Sequence, residues 1–203
     1  MQRSNNMPRP PHQQRQPGTR PPRRSTLHAP RSTLHTALSR IKLLLCDVDG
    51  VLTDATVYIG GGTELKRFNI QDGLGLVTLR RVGLKVGWLS SRPSSATAQR
   101  AEELKIDFLL QSKESKVAAV EQLLAQTGLR WEEVCYAGDD IIDLGVLKRA
   151  GVAVAVANGV AETRAVAHYV TRAAGGRGAV REIAELILKA QNKWDRVVTD
   201  YAA

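Results

Sequence analysis

The chain is expected to fold as an α/β domain on a doubly wound parallel sheet, and three features point that way. Short, nearly continuous apolar runs at 41–46, 84–89, 134–137 and 151–157 alternate with amphipathic stretches of helical period, as strands buried on both faces by crossover helices do. Polar residues collect where those runs stop: Cys46-Asp47-Val48-Asp49-Gly50, then Ser90, then Gly138-Asp139-Asp140. Open parallel sheets gather ligands at the carboxyl ends of their strands. The stretch after Ile41 also holds about 160 residues with Pro93 as its one proline, enough for one substantial core.

Taken in order, residues 41–46 form the first buried strand, bounded by Gly50. Residues 56–59 and 63–69 flank Gly60-Gly61-Gly62 and read as a β-hairpin with a glycine turn, a flap that projects from the sheet. Helical spacing follows at 73–81, 94–105, 115–126, 140–149 and 178–191, with a further strand at 106–110 and a short one at Tyr169-Val170-Thr171. The last helix is the clearest, because Val180, Ile183, Ala184, Ile187 and Leu188 lie three and four apart and define one buried stripe. Only the flap separates Asp54 from Asp72, and only one helix and one strand separate Ser90 from Lys116. Neither interval has room for a cap domain, so the site is expected to be open in a single chain.

Charge divides the sequence. Eight arginines and no acidic residue lie in the first forty positions, which carry +8 of the formal +9, together with seven of the eight prolines. Residues 1–39 are therefore expected to be a disordered Arg/Pro-rich tail and residues 40–203 the folded domain. Clustered arginine neutralises phosphates of any sequence, and an acid-free N-terminus with Ser and Thr also fits a transit peptide. A plain extension is the preferred reading, and nucleic acid the less favoured partner. No apolar run approaches the roughly 18–20 residues of a membrane span, so a soluble, cytoplasmic protein is expected. Cys46 and Cys135 sit inside buried strands and read as core residues rather than a disulfide or metal pair. Three of the four histidines fall in the tail, which leaves no histidine-based mechanism.

One chemistry that suits the strand ends is phosphoryl transfer, although paired aspartates after a strand also serve metal–nucleotide sites and an Asp-Gly pair can be plain turn chemistry. An aspartate at the end of a buried strand can act as a nucleophile if a divalent cation and a fixed cation neutralise the incoming phosphate, while a carboxylate two residues on moves the proton. Asp47 and Asp49 have that spacing. Ser90 offers a hydroxyl and, with Ser91, backbone N–H groups to a phosphate. Lys116 opens an amphipathic helix and can direct its charge back at the strand ends. Asp139, Asp140 and Asp143 supply carboxylates for a hard cation that prefers oxygen. Each also has an ordinary reading: Ser90, Asp139 or Asp140 as helix caps, Lys116 as a solvated first-turn lysine. Asp140 and Asp143 stand evenly between supporting the site and capping the next helix.

In this order the four features resemble the motifs of the haloacid dehalogenase superfamily of phosphohydrolases. From Ile41 to about Gln191 the chain is similar, more narrowly, to the 3-deoxy-D-manno-octulosonate 8-phosphate phosphatase family. The similarity rests on residues 47–54, Phe68-Asn69-Ile70-Gln71-Asp72-Gly73-Leu74-Gly75, Gly138-Asp139-Asp140 and the late block 169–182 with Gly175-Gly176-Arg177-Gly178. The resemblance implies a magnesium-dependent phosphatase of lipopolysaccharide biosynthesis acting through an aspartyl phosphate on a small sugar-acid phosphate. In it Asp47 is the nucleophile, Asp49 the acid and base, and Ser90 and Lys116 the phosphate ligands. Asp47, Asp139 and the carbonyl of Asp49 hold the Mg2+. Substrate contacts carry over to Asp49, Asn69, Ile70, Gln71, Asp72, Gly73, Arg92, Arg100 and Lys116. A homotetramer whose flaps and C-terminal segments close neighbouring sites is also implied. Ser90-Ser91 stands where relatives often have Thr-Gly, and Val77 where some have arginine, which keeps nine-carbon sugar-acid phosphates in play. A nucleic acid 3′-phosphatase and a non-catalytic binding protein are the remaining alternatives.

Overall fold

Strand β1 (Leu43–Asp47) is buried at every residue, and the rest of the domain is laid out around it. The computed structural model describes residues 31–202. Beside β1 lie β4 (Lys85–Ser90) and β6 (Val134–Gly138), then β5 (Phe108–Gln111) outside β4, with β7 (Val152–Ala155) and β8 (Tyr169–Val170) outside β6. The six-stranded order is β5-β4-β1-β6-β7-β8 and every pairing is parallel. Such a sheet must be covered on both faces. One face packs under α2 (Ile70–Arg81), α7 (Ala179–Ala190) and Ala101 of α3 (Ser95–Glu103), the other under α4 (Lys116–Thr127) and α5 (Leu144–Leu147). The doubly wound fold expected from the sequence is the one observed.

The flap is a two-stranded antiparallel ribbon, β2 (Tyr58–Gly60) and β3 (Thr63–Leu65), outside the main sheet. Its turn residues Gly61 and Gly62 both have positive φ, +57° and +75°, the backbone of a type I′ hairpin turn. Among the described residues nothing larger is inserted at either interval where a cap could sit.

Three differences from expectation have local causes. Helix α2 begins three residues early because Asn69 caps it, its side chain accepting from the Gln71 and Asp72 amides. The helix expected over 140–149 is divided into a tight turn, Ile141–Asp143, and α5, since Asp140 and Asp143 hydrogen-bond amides at its start. Two helices had no expectation, the short α6 (Ala161–Val166) and α8 (Trp194–Ala202); the latter is separated from α7 by Asn192 in the left-handed region, at φ +54°.

The domain boundary needs correction. Residues expected to belong to a disordered tail form helix α1 (Arg31–Ser39), which packs on α7. Leu34 and Leu38, four apart and so on one helical face, are buried in the main core. Gln191 donates from Nε2 to the carbonyls of Ile41 (2.8 Å) and Leu38 (3.4 Å), satisfying groups that a helix end leaves open. The disorder expected of 1–39 thus fails over 31–39; for 1–30 it lies outside the described residues. Among the described residues no helix is long and apolar enough to cross a membrane. Leu38→Ala should lower unfolding free energy by about 2–4 kcal/mol, as buried Leu→Ala changes do, measured by urea denaturation; a change under about 0.5 kcal/mol would mean α1 is not part of the cooperative fold.

Candidate active site

The order of strands reverses at β1. From there the chain first builds outward through β4 and β5 and later through β6, β7 and β8, so β1 marks the switch point at which such sheets bind ligands. Register brings the polar termini level: Asp47 pairs with Leu89, one residue before Ser90, and Cys46 pairs with Ala137, one residue before Gly138. Asp47, Ser90 and Asp139 therefore emerge side by side from three adjoining strands.

After Asp47 the chain winds into a tight turn, Val48–Leu52, which leaves helical geometry at Asp49 (φ −86°, ψ 99°) and Gly50 (φ +113°). Gly50 is required twice over. Its φ disfavours any side chain, and a Cβ there would lie 2.0 Å from Oδ2 of Asp139. The late glycine block buttresses this turn from within the chain: a Cβ on Gly175 would fall 1.7 Å from the Gly50 carbonyl oxygen, and the Gly176 amide donates to Val51 O at 2.9 Å. Asn158 holds the Gly175 amide at 2.8 Å.

Burial sets the electrostatics. Lys116, the first residue of α4, is itself buried and donates from Nζ to Asp47 Oδ1 at 2.5 Å and to Asp143 Oδ1 at 2.6 Å. Tyr136 on β6 donates its hydroxyl to the same Asp143 oxygen at 2.5 Å, while Asp143 Oδ2 accepts from the amides of Asp139 (2.9 Å) and Asp140 (3.2 Å). Oxygens of Asp47, Asp139 and Asp143 lie within 4.8 Å of one another. Burial drives the Asp47 carboxyl up to about 8 although Lys116 pulls the other way. Asp139 rises to about 7, through burial first and then through Asp143 and Asp140. Lys116 is raised: burial opposes its charge, but the two carboxylates outweigh burial.

An all-oxygen donor set held short of positive charge suits a hard divalent cation. Asp47 and Asp139 carry the free donors, since both Asp143 oxygens are committed to Lys116, Tyr136 and backbone amides. The ambiguity of Asp143 and Asp140 resolves on geometry. Asp143 both caps the turn and fixes Lys116, whereas Asp140 is exposed at its carboxylate and caps the Ile141 amide at 2.6 Å.

Asp49 faces a different partner. Lys66, which follows β3, has a side chain with no solvent exposure and places Nζ 2.7 Å from Asp49 Oδ1, 2.9 Å from Oδ2 and 3.2 Å from Thr97 Oγ1. Two residues back on the same face of the flap, Glu64 accepts from Arg92 at 2.5 Å and from Ser94 Oγ at 2.6 Å, contacts that hold its carboxyl down at about 2. Ser90 is buried, its hydroxyl donating to Arg92 O (3.0 Å) and accepting the Arg92 amide (3.1 Å). The cap of α3 is Ser94, not Ser90.

Of the expected substrate contacts, Gly73 and Arg100 are brought together, since a Cβ on Gly73 would meet Arg100 Nη2 at 2.7 Å. Arg100 also pairs with Glu103 at 2.7 Å. Ile70 and Gln71 are exposed at the start of α2, and Asn69 spends its oxygen as the cap. Asp72, also in that set, lies against the start of α7. It is buried, and its carboxylate accepts from the amides of Gly178 (3.2 Å) and Arg181 (2.8 Å), capping α7 from a neighbouring helix. Lys66, Thr97 and Tyr136 were not foreseen. Alternation along the flap, which turns Glu64 and Lys66 to one face and Leu65 to the other, is the signal that could have found Lys66. Cys46 and Cys135 are free and buried, with burial pushing both thiols up, consistent with core roles.

The raised carboxyls have a consequence for stability. Between their ordinary value near 3.8 and about 7–8, folded Asp47 and Asp139 retain protons that the unfolded chain releases, so the metal-free fold loses stability as pH rises through that window. A cation bound to the carboxylates removes that penalty. Adding Mg2+ to chelator-treated protein should therefore raise Tm more at pH 8 than at pH 6, read by thermal melts; equal shifts would contradict the assignment of these carboxylates to a cation.

Residues 85–183 match the family model for haloacid dehalogenase-like hydrolases. The chain is 44% identical over 156 residues to the 3-deoxy-D-manno-octulosonate 8-phosphate phosphatase of Yersinia pestis, covering 76% of this chain and 83% of the relative. Against the protein of the same description from Salmonella typhi it is 41% identical over 161 residues, 79% of this chain and 86% of the relative. The crystal structure of the Moraxella catarrhalis 3-deoxy-D-manno-octulosonate 8-phosphate phosphatase, in complex with magnesium, phosphate and KDO, aligns at a TM-score of 0.82 and 39% identity over 84% of this chain and 99% of that one. With that sheet, flap and carboxylate cluster, and at that level of identity, the chain belongs to the haloacid dehalogenase-like hydrolases and is an enzyme of that family.

Proposed function

We propose that the enzyme hydrolyses a sugar-acid phosphate, 3-deoxy-D-manno-octulosonate 8-phosphate first among them, through an aspartyl phosphate on Asp47. The observation that carries the reading is the buried Lys116 contact to Asp47 Oδ1, which fixes one carboxylate oxygen and leaves Oδ2 to meet phosphorus beside Ser90. Asp47 and Asp139 side chains, with the carbonyl of Asp49, would hold Mg2+; bound there, the ion supplies positive charge against the phosphoryl oxygens.

In the first step an Asp47 oxygen forms a bond to phosphorus as the bond to the sugar oxygen breaks, and Asp49 gives that oxygen its proton. In the second, Asp49 takes a proton from water as the water attacks phosphorus, the bond to Asp47 breaks, and phosphate leaves. Lys116, with Ser90 and the Ser91 amide, stabilises charge on the transferring group. Arg92 and Arg100 are the cations nearest to hand for the substrate carboxylate, and each would have to share or exchange a contact, Arg92 with Glu64 and Arg100 with Glu103. Val77, half-buried on α2, adds no charge there, so a nine-carbon sugar acid is the competing substrate. The relatives with this substrate in their names support the eight-carbon reading.

The open site is proposed to be closed by neighbouring copies in a cytoplasmic homotetramer. Tyr58 and Leu65, paired directly across the flap, are exposed apolar residues on one face, a surface that suits a neighbouring copy. The glycine block, by contrast, is explained within the chain. Purified enzyme with Mg2+ should favour the eight-carbon over the nine-carbon acid phosphate in kcat/KM. Asp47→Asn should abolish phosphate release and Asp49→Asn lower it by roughly 10² to 10⁴. Preference for the nine-carbon acid would move the substrate, and near-normal turnover by Asp47→Asn would sink the mechanism. Light scattering tests the assembly: a fully active monomer would rule out closure by neighbours.

A further inference from the structure

A lysine ammonium removed from solvent must find compensating charge, and Lys66 finds it in the residue to which the proposed reaction gives the proton work. Its side chain has no solvent exposure, and its Nζ reaches both oxygens of Asp49, at 2.7 and 2.9 Å, and Thr97 Oγ1, at 3.2 Å, with Glu64 Oε1 at 3.9 Å. Thr97 is itself fully buried on α3. Asp49 stands on the non-helical turn after β1 with its side chain 24% exposed, and no other side chain of the described residues bonds its carboxylate. What fixes the direction of that carboxylate is therefore Lys66, at the root of the flap.

We propose that Lys66 is the positioning residue of the acid–base carboxylate: it holds Asp49 toward the departing oxygen and makes that orientation depend on the flap being seated. The proposal rests on the reading of Asp49 as acid and base. The flap is anchored at a second point, where Glu64 bonds Arg92 and Ser94 on the segment after Ser90. Glu64 and Lys66, two apart on one face, thus pin the flap to both halves of the site, the phosphate side and the proton side. Two buried lysines share the carboxylate pair, Lys116 fixing Asp47 and Lys66 fixing Asp49. With its donors turned to Asp49 and Thr97, Lys66 works through Asp49 and does not touch the reacting atoms. Displacement of a catalytic group by about 1 Å can cost about 10²-fold in rate, so loss of this pair should be visible in turnover.

The test uses the leaving group. An alkyl phosphate needs a proton on its departing oxygen, whereas p-nitrophenolate leaves without one, so a fault confined to the positioned acid appears with the first substrate and not with the second. First-turnover release of the alcohol or phenol should fall about 10²-fold for the sugar phosphate in Lys66→Met and by less than about 3-fold for p-nitrophenyl phosphate. KM for both should be little changed, and Lys66→Arg should recover part of the loss. Equal losses on the two substrates, or no loss on the sugar phosphate, would overturn the proposal. Asp49→Asn separates this from failure of the underlying reading. If Asp49→Asn produces the split and Lys66→Met does not, Lys66 alone is misassigned; if Asp49→Asn produces none, the acid–base reading falls and the positioning role with it.

Discussion

The contact between the Lys116 ammonium and the carboxylates of Asp47 and Asp143 is the constraint on which the site depends. Three carboxylates within 4.8 Å at the buried end of a sheet cannot all ionise without positive charge among them. Lys116 supplies part of it, and its place at the start of α4 is locked because Asp143 is held in turn by Tyr136 and by two amides. What remains uncompensated appears as the raised carboxyls of Asp47 and Asp139. The same shortage of positive charge that destabilises the metal-free fold at neutral pH favours binding of a divalent cation.

Sheet architecture places this charge where it can work. Because β1 sits between β4 and β6, the segments after all three strands converge, and close approach of backbone does the rest. Gly50 lets the turn after Asp47 pass beside the Asp139 carboxylate, and Gly175 lets a distant loop press on that turn. On the opposite side the flap repeats the logic with Lys66 and Glu64. Asp47 and Asp49 thus lie between two buried lysine side chains, one delivered by the sheet-to-helix framework and the other by a small hairpin.

Much of this was legible in the sequence, for identifiable reasons. Buried parallel strands leave continuous apolar runs, and strand-end aspartates stand out against them, so β1, β4, β6 and the residues Asp47, Asp49, Ser90, Lys116 and Asp139 could be placed in advance. Leu34 and Leu38 were overlooked because the charge and proline content of the first forty residues outweighed two leucines four apart. The capping of α7 by Asp72 was not legible because its partner amides lie 106 and 109 residues away, a contact that no local pattern discloses. Lys66 resembles any solvated hairpin lysine until the fold closes over it. Asp140 and Asp143 could not be separated by spacing alone, since both serve as caps and only the position of Tyr136 and Lys116 distinguishes them.

The central claim is that Asp47 carries the phosphoryl group between the two chemical steps. Quenching the enzyme during turnover, reducing acyl phosphates with borohydride and mapping the peptides by mass spectrometry tests it directly. The account predicts that position 47 is recovered in part as homoserine, only when substrate and Mg2+ are both present. Reduction at another carboxylate, or none at position 47 while turnover proceeds under conditions in which a phosphoenzyme is shown kinetically to accumulate, would contradict it.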